Sequence, residues 1–223
     1  MMSQARCCWT TRTNSMRRLL STLSSRCSSC SQTLPTPLPA CTRCGSISPI
    51  PPSTSFHDIF ALPSRPNPFV VDAALLKRRF REAQAVCHPD SWASKGQHKQ
   101  DISQSVSSRL NEAYNALLRP LPRAEYILEQ HGLPISEHDQ LDDLEFIAEI
   151  MQARESIDEA TDAAELAAVV DETGAQIEET VRVLEQAVGA EEWVSVKEAA
   201  VRLKYLESIA AAGKEKGEEL GES

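Results

Sequence analysis

Beyond residue 72, apolar residues return every three or four positions across most of the chain, and no other feature restricts the fold as tightly. In VDAALLKRRFREAQAVCHPD, Leu76, Phe80, Ala83 and Cys87 follow steps of four, three and four. A helix turning about 100° per residue places them on one face. Asp72 is suited to cap the start, and Pro89 disfavours helical geometry at His88, so the helix stops there. A second helix is expected from about Asp101 to Arg119, with Ile102, Val106, Leu110, Ala113 and Leu117 on one face and Pro120 and Pro122 at its end. Two matching stripes joined by the polar stretch SWASKGQHKQ predict an antiparallel hairpin that presents His88, Pro89 and Asp90 at its tip.

Three more helical segments follow, about Asp139–Thr161, Asp162–Val188 and Glu191–Gly213. Their stripes are Phe146, Ile150, Ala153, Ile157 and Ala160; then Leu166, Val170, Thr173, Ile177, Val181, Leu184 and Val188; then Val196, Ala199, Leu203, Leu206 and Ala210. Steps of three and four on three successive helices are the pattern of a bundle. Two of the helices carry apolar residues off that stripe: Leu144, Ile147 and Met151 on one, Val194, Val201 and Tyr205 on the other. Such a second stripe either packs on the preceding hairpin or forms a partner-binding patch. Packing is weighed mainly for Leu144 and Val194, and a patch for Ile147, Met151 and Tyr205.

Composition agrees with helices. Aromatic residues make up 5% of the 223, and only 8 are Gly. Charge is split unevenly: residues 1–57 contain six Arg and no Asp or Glu, which leaves 17 basic against 32 acidic residues and a net of −15 beyond them. A remainder that acidic is a poor nucleic-acid binder. No apolar run has the length of a membrane span.

The acid-free start, with RTNSMRRLLSTLSSR, has the composition of a mitochondrial transit peptide, expected over residues 1–26; a disordered basic tail is the plainer alternative. Residues 27–55 are rich in Cys and Pro. Gln32–Ser55 holds six Pro without helical period and reads as linker or loop. Cys27-x-x-Cys30 and Cys41-x-x-Cys44 nevertheless form two pairs that could supply the four thiolates of a tetrahedral zinc site. Incidental cysteines or a disulfide explain the same spacing. The Pro-rich spacer offers few side chains to support a metal. Cys87, on the apolar stripe, reads as a small core residue.

KRRFREAQAVCHPD, a loop, and LNEAYNALLRPLPRAEYIL together resemble a J-domain of the HscB type. RPLPRAEYILEQHG is similar to the junction peculiar to that branch, and FIAEIMQARESIDE and VRLKYLESI resemble its bundle helices. The resemblance spans about residues 56–212. It implies an all-α fold: a J-domain helical hairpin over 56–125, a three-helix bundle over 126–213, and a disordered tail over 214–223.

It further implies a co-chaperone of a DnaK-type, seventy-kilodalton heat-shock ATPase in the mitochondrial matrix. Asp90 would be the trigger, with His88 and Pro89 fixing its presentation, and Lys77, Arg78, Arg79 and Arg81 supplying docking charge. An ordinary solvated helix face is the alternative for those four bases. The bundle would bind the iron–sulfur scaffold protein through Ile147, Ala148, Met151, Lys204 and Tyr205; Ala148 departs from the larger apolar residue often found there. Some relatives carry a paired-cysteine zinc module before the J-domain, to which Cys27, Cys30, Cys41 and Cys44 are similar in placement. No cofactor is expected to be required beyond such a structural zinc.

The resemblance implies an ATPase activator and not an enzyme; the chain itself needs no nucleotide pocket and carries no Gly-rich phosphate loop. His88 and Asp90 as a catalytic pair would sit on an exposed tip without a water-excluding pocket. A helical adaptor that dimerises through the bundle, with degenerate J function, is the other alternative.

Overall fold

The computed structural model describes residues 26–136, 139 and 143–221. Most of the expected transit peptide, including Arg6, Arg12, Arg17 and Arg18, lies outside the described residues.

After a short first helix, α1 (Phe56–Ile59), α2 runs over Ala73–Cys87. The Asp72 carboxylate accepts from the amides of Ala74 and Leu75, at 2.9 and 3.0 Å, satisfying donors that the first turn leaves unpaired. At the other end, His88 is extended (ψ 128°) ahead of Pro89. The Ser103 hydroxyl donates to the Cys87 carbonyl at 2.9 Å. Leu76, Ala83 and Cys87 are buried as their spacing demands. Phe80 is half-buried, stacked on Tyr114 at 4.1 Å and edge-on to Phe60.

The polar connection is not an open loop. Pro89–Lys95 form a 3-10 turn that buries Trp92 to 1% exposure, and α3 (Gln97–Leu118) starts four residues before the expected Asp101. A large apolar ring among polar neighbours has no period to betray it, yet its indole Nε1 donates to the Val86 carbonyl at 3.0 Å and pins the turn onto α2.

The prolines at 120 and 122 do more than end α3. Pro120 opens a further helix, α4 (Pro120–Gln130), because a missing amide costs nothing at the first helical position. Arg123 is buried at this corner and donates to three carbonyls: Leu117 at 2.8 Å, Phe69 at 2.8 Å and Leu118 at 3.2 Å. Its guanidinium therefore caps the end of α3.

The last three helices are α5 (Leu144–Glu159), α6 (Ala163–Gly189) and α7 (Trp193–Gly221). Asp143 and Asp162 cap the first two through backbone amides. The α7 helix continues through the stretch expected to be a disordered tail. Two features hold it: the ion pairs Lys214–Glu218 and Lys216–Glu219 along the helix, and glycines that allow close packing on α6. A Cβ on Gly213 would lie 2.9 Å from Val170 Cγ2, and one on Gly217 would lie 3.5 Å from Leu166.

Hairpin and bundle share one core. Leu184, Val188, Val196, Ala200 and Leu203 belong to the same apolar cluster as Leu110, Leu117, Ala124 and Leu128. Helix α4 is the bridge, packing on α3 and on α7, so residue 125 is a crossing point within one packed unit rather than a linker. The far end of the bundle has its own small cluster of Ile157, Ala160, Leu166 and Ile209.

Part of Gln32–Ser55, expected to be linker or loop, is built into paired strands. Two hairpins stand side by side. Arg26 bridges Thr33, and β1 (Ala40–Cys41) pairs antiparallel with β2 (Ser46–Ile47). Leu38, Ala40 and Ile47 enter the core of the α2–α3 hairpin. Two-residue strands are too short to leave an alternating pattern in the sequence.

Candidate functional site

Three surfaces gather the residues singled out above. At the hairpin tip, the Asp90 side chain is 91% exposed and the His88 ring is more than half exposed. His88 Nδ1 accepts from the Asp90 amide at 3.3 Å, which orients the first residues of the 3-10 turn. Asp90 is thus an exposed carboxylate on a stiff mount, with Pro89 fixing the backbone before it and Trp92 anchoring it behind. On α2, Lys77, Arg78 and Arg81 are exposed. Arg78 and Arg79 lie 3.9 and 3.4 Å from Glu82, and Arg79 Nε is buried without a hydrogen-bond partner. The face stays positive, because one carboxylate serves two of its four cations.

On the bundle, Ile147, Ala148, Met151, Lys204 and Tyr205 are all exposed. Met151 is 68% and Leu144 80% exposed, so Leu144 extends the apolar strip by one turn toward the start of α5. The Tyr205 ring meets Phe146 edge-on, at 6.3 Å between centroids. Packing on the hairpin does not account for the second stripe at Leu144 or at Val194, which is also exposed; Val201 is buried, beside Ile135 and Ser136 of the segment after α4. Ile135 and Ser136 share a cavity with Lys204 and Tyr205. They come from the irregular segment after α4, where no periodicity points to them.

The four cysteines Cys27, Cys30, Cys41 and Cys44 converge, with all four Sγ atoms within 4.8 Å of one another. The hairpins cross-pair them: Cys27 Sγ is 3.5 Å from Cys44 Sγ, and Cys30 Sγ is 3.8 Å from Cys41 Sγ. A zinc ion bound tetrahedrally at about 2.3 Å from each sulfur requires sulfur–sulfur edges of about 3.8 Å. Each pair ends in the same turn, with a left-handed residue directly after the second cysteine, Ser31 (φ 58°) and Gly45 (φ 64°).

That turn aims backbone amides at sulfur. Amides of Cys30 and Ser29 hold the Cys27 thiol down to about 6, and those of Cys44 and Arg43 lower Cys41. The support that the Pro-rich spacer lacks in side chains is therefore supplied by backbone amides. Cys44 is raised, by desolvation and by the sulfurs beside it. Four thiolates this close would repel one another, and a divalent cation among them would offset that charge. Cys87, by contrast, is buried on the α2 stripe, its thiol pushed up to about 12 by burial.

Known proteins resemble this chain in sequence and fold. The family model described as the HSCB C-terminal oligomerisation domain matches residues 142–213. The human iron-sulfur cluster co-chaperone protein HscB is 29% identical over 170 residues, covering 76% of this chain and 71% of its own. Together these matches support an HscB-type co-chaperone. The co-chaperone protein HscB homolog of Photobacterium profundum is 28% identical over 157 residues, covering 68% of this chain and 90% of its own. The crystal structure of human co-chaperone protein HscB superimposes with a TM-score of 0.75 at 26% identity, covering 86% of this chain and 98% of that one. The all-helical body is the HscB fold, and the exposed tip, the exposed bundle strip and the four-thiol cluster are the three chemical features mounted on it.

Proposed function

We propose that this chain is an ATPase-activating co-chaperone that brings an iron–sulfur scaffold protein to a DnaK-type chaperone of the mitochondrial matrix. The observation that carries the reading is the mount of Asp90: an exposed carboxylate on a rigid tip beside a cationic helix. An exposed carboxylate beside positive charge suits a partner with an arginine next to an acidic surface, and such complementarity sets orientation and encounter rate more than affinity. The apolar strip Leu144, Ile147, Met151 and Tyr205, with Lys204 at its margin, is the surface for the scaffold.

With the scaffold on the bundle and the chaperone at the tip, hydrolysis would be triggered while the client is at hand. Shared core packing through α4 keeps the two surfaces at a fixed separation. Cys27, Cys30, Cys41 and Cys44 would hold a structural zinc, which cross-links the two hairpins. The matrix location rests on the acid-free, Arg-bearing amino-terminal composition.

Binding of the chaperone and of the scaffold to the immobilised full chain tests the assignment. Asp90→Asn should abolish chaperone binding in the presence of ATP and leave scaffold binding intact. Loss of neither, or of both, would contradict separate surfaces. The exposed apolar strip also fits a second reading, self-association of the bundle. Sedimentation that shows a concentration-dependent dimer, broken by Met151→Glu, would favour it.

A further inference from the structure

The cysteine module is joined to the tip by contacts that neither surface needs on its own account. Lys99, near the start of α3, donates from Nζ to the Gly45 carbonyl at 2.6 Å, directly after the metal-side turn that ends at Cys44. Lys95, the last residue of the 3-10 turn, passes close to Gly45: a Cβ there would lie 3.7 Å from its Cδ. Its ammonium then sits 3.9 Å from the centroid of the Trp92 ring. Leu38, Ala40 and Ile47 of the module share the cluster that contains Trp92 and Cys87, the two buried residues flanking His88–Asp90.

The module has little of its own to keep it folded. Its apolar core is Cys27, Leu34 and Cys41, with Cys30 at the edge, and its paired strands are two residues long. A unit of this size depends on a metal for stability, because binding free energy becomes folding free energy.

From these contacts we propose that the tetracysteine module is a buttress for the His-Pro-Asp tip: metal in the module fixes Gly45, and Lys99 and Lys95 carry that rigidity to the turn that presents Asp90. This rests on reading the four thiols as a zinc site and the tip as the chaperone-docking surface. Lys99 and Lys95 are positioning residues, since they act through the turn and not on the partner. Loss of metal would release the Gly45 carbonyl, free Lys99, and loosen the turn while α6 and α7 remain folded. Chaperone docking would then weaken without any change at Asp90.

The test is amide hydrogen exchange of the full chain, zinc-loaded and chelator-stripped, with metal content measured on both samples. Peptides covering residues 88–100 should exchange about tenfold faster or more after stripping, the size expected for losing one charge-assisted hydrogen bond. Peptides from residues 174–186 of α6 should not change. Lys99→Met keeps the aliphatic stem but removes the donor; it should bind metal normally, show fast exchange at 88–100 already when loaded, and respond less to stripping. Metal bound and removed with no change at the tip overturns the buttress and leaves the zinc reading standing. Absence of bound metal overturns both. Acceleration throughout α6 as well would overturn the local coupling, since the metal would then support the whole fold.

Discussion

Replacing Trp92 should damage this protein more than any change to the exposed residues around it. The indole is almost wholly buried between α2 and α3, beneath a 3-10 turn whose other side chains are mostly solvated. Trp92→Ala removes the ring from a site shared with the α2–α3 core and leaves a cavity, a change that costs about 3–5 kcal/mol in well-packed interiors. It also strips the Val86 carbonyl of its indole donor and removes the ring under Lys95. Trp92→Phe keeps most of the apolar area and loses mainly the hydrogen bond, for about 1 kcal/mol.

Urea unfolding followed by circular dichroism distinguishes the two. With a slope near 2 kcal/mol per molar urea, the Ala variant should shift the midpoint down by about 2 M and the Phe variant by about 0.5 M. An Ala variant within 1 kcal/mol of the parent would show that the turn is not anchored by the ring. The account of a stiff mount for Asp90 would fall with it.

Phe80→Ala should cost about 2–4 kcal/mol, less than for a fully buried ring, because Phe80 is half-buried and its stacking on Tyr114 is only part of its packing; calorimetric melts measure it. His57 is buried, and burial lowers its pKa below 6.5, helped by the nearby Arg123 charge and opposed by the Pro68 carbonyl. The folded state therefore favours neutral His57: its stability is complete above pH 6.5 and declines as pH falls toward the depressed value. Melting temperatures should drop between pH 7.5 and 5.5, and His57→Gln should flatten that dependence. Replacing Ile147, Met151 and Tyr205 together by Ala should weaken scaffold binding in titration calorimetry and leave scaffold-free stimulation of the chaperone ATPase unchanged; unaltered affinity would remove the strip from the interface.

Helical periodicity carried most of the architecture. Leu76, Ala83 and Cys87, and Val106, Leu110 and Leu117, face the core as their three-and-four spacing requires. The bundle stripes do the same at Phe146, Leu184 and Leu203, and the surplus at Met151 and Tyr205 was visible as an off-stripe pattern. Periodicity failed where local chemistry has two uses. Pro120 could end one helix or open the next, and the choice was made by Arg123, whose three carbonyl partners come from α3 and from Phe69. Charged residues after Gly213 looked solvated, while the glycines among them allow α7 to run along α6. The cysteine spacing suggested two ligand pairs, but their seating on the tip depends on contacts such as Lys99 with Gly45, 54 residues apart in the chain, which composition cannot encode.

In the proposed mechanism, Asp90 drives a DnaK-type ATPase and the bundle couples that stimulation to the scaffold. Single-turnover ATP hydrolysis by a mitochondrial DnaK-type chaperone, with the parent chain or Asp90→Asn and with or without the iron–sulfur scaffold, tests it most directly. The account predicts stimulation by the parent, a further increase with scaffold, and none by Asp90→Asn, whose melting temperature should match the parent's because the side chain is solvated. Equal stimulation by parent and variant, or no stimulation by a folded parent with or without scaffold, would contradict it.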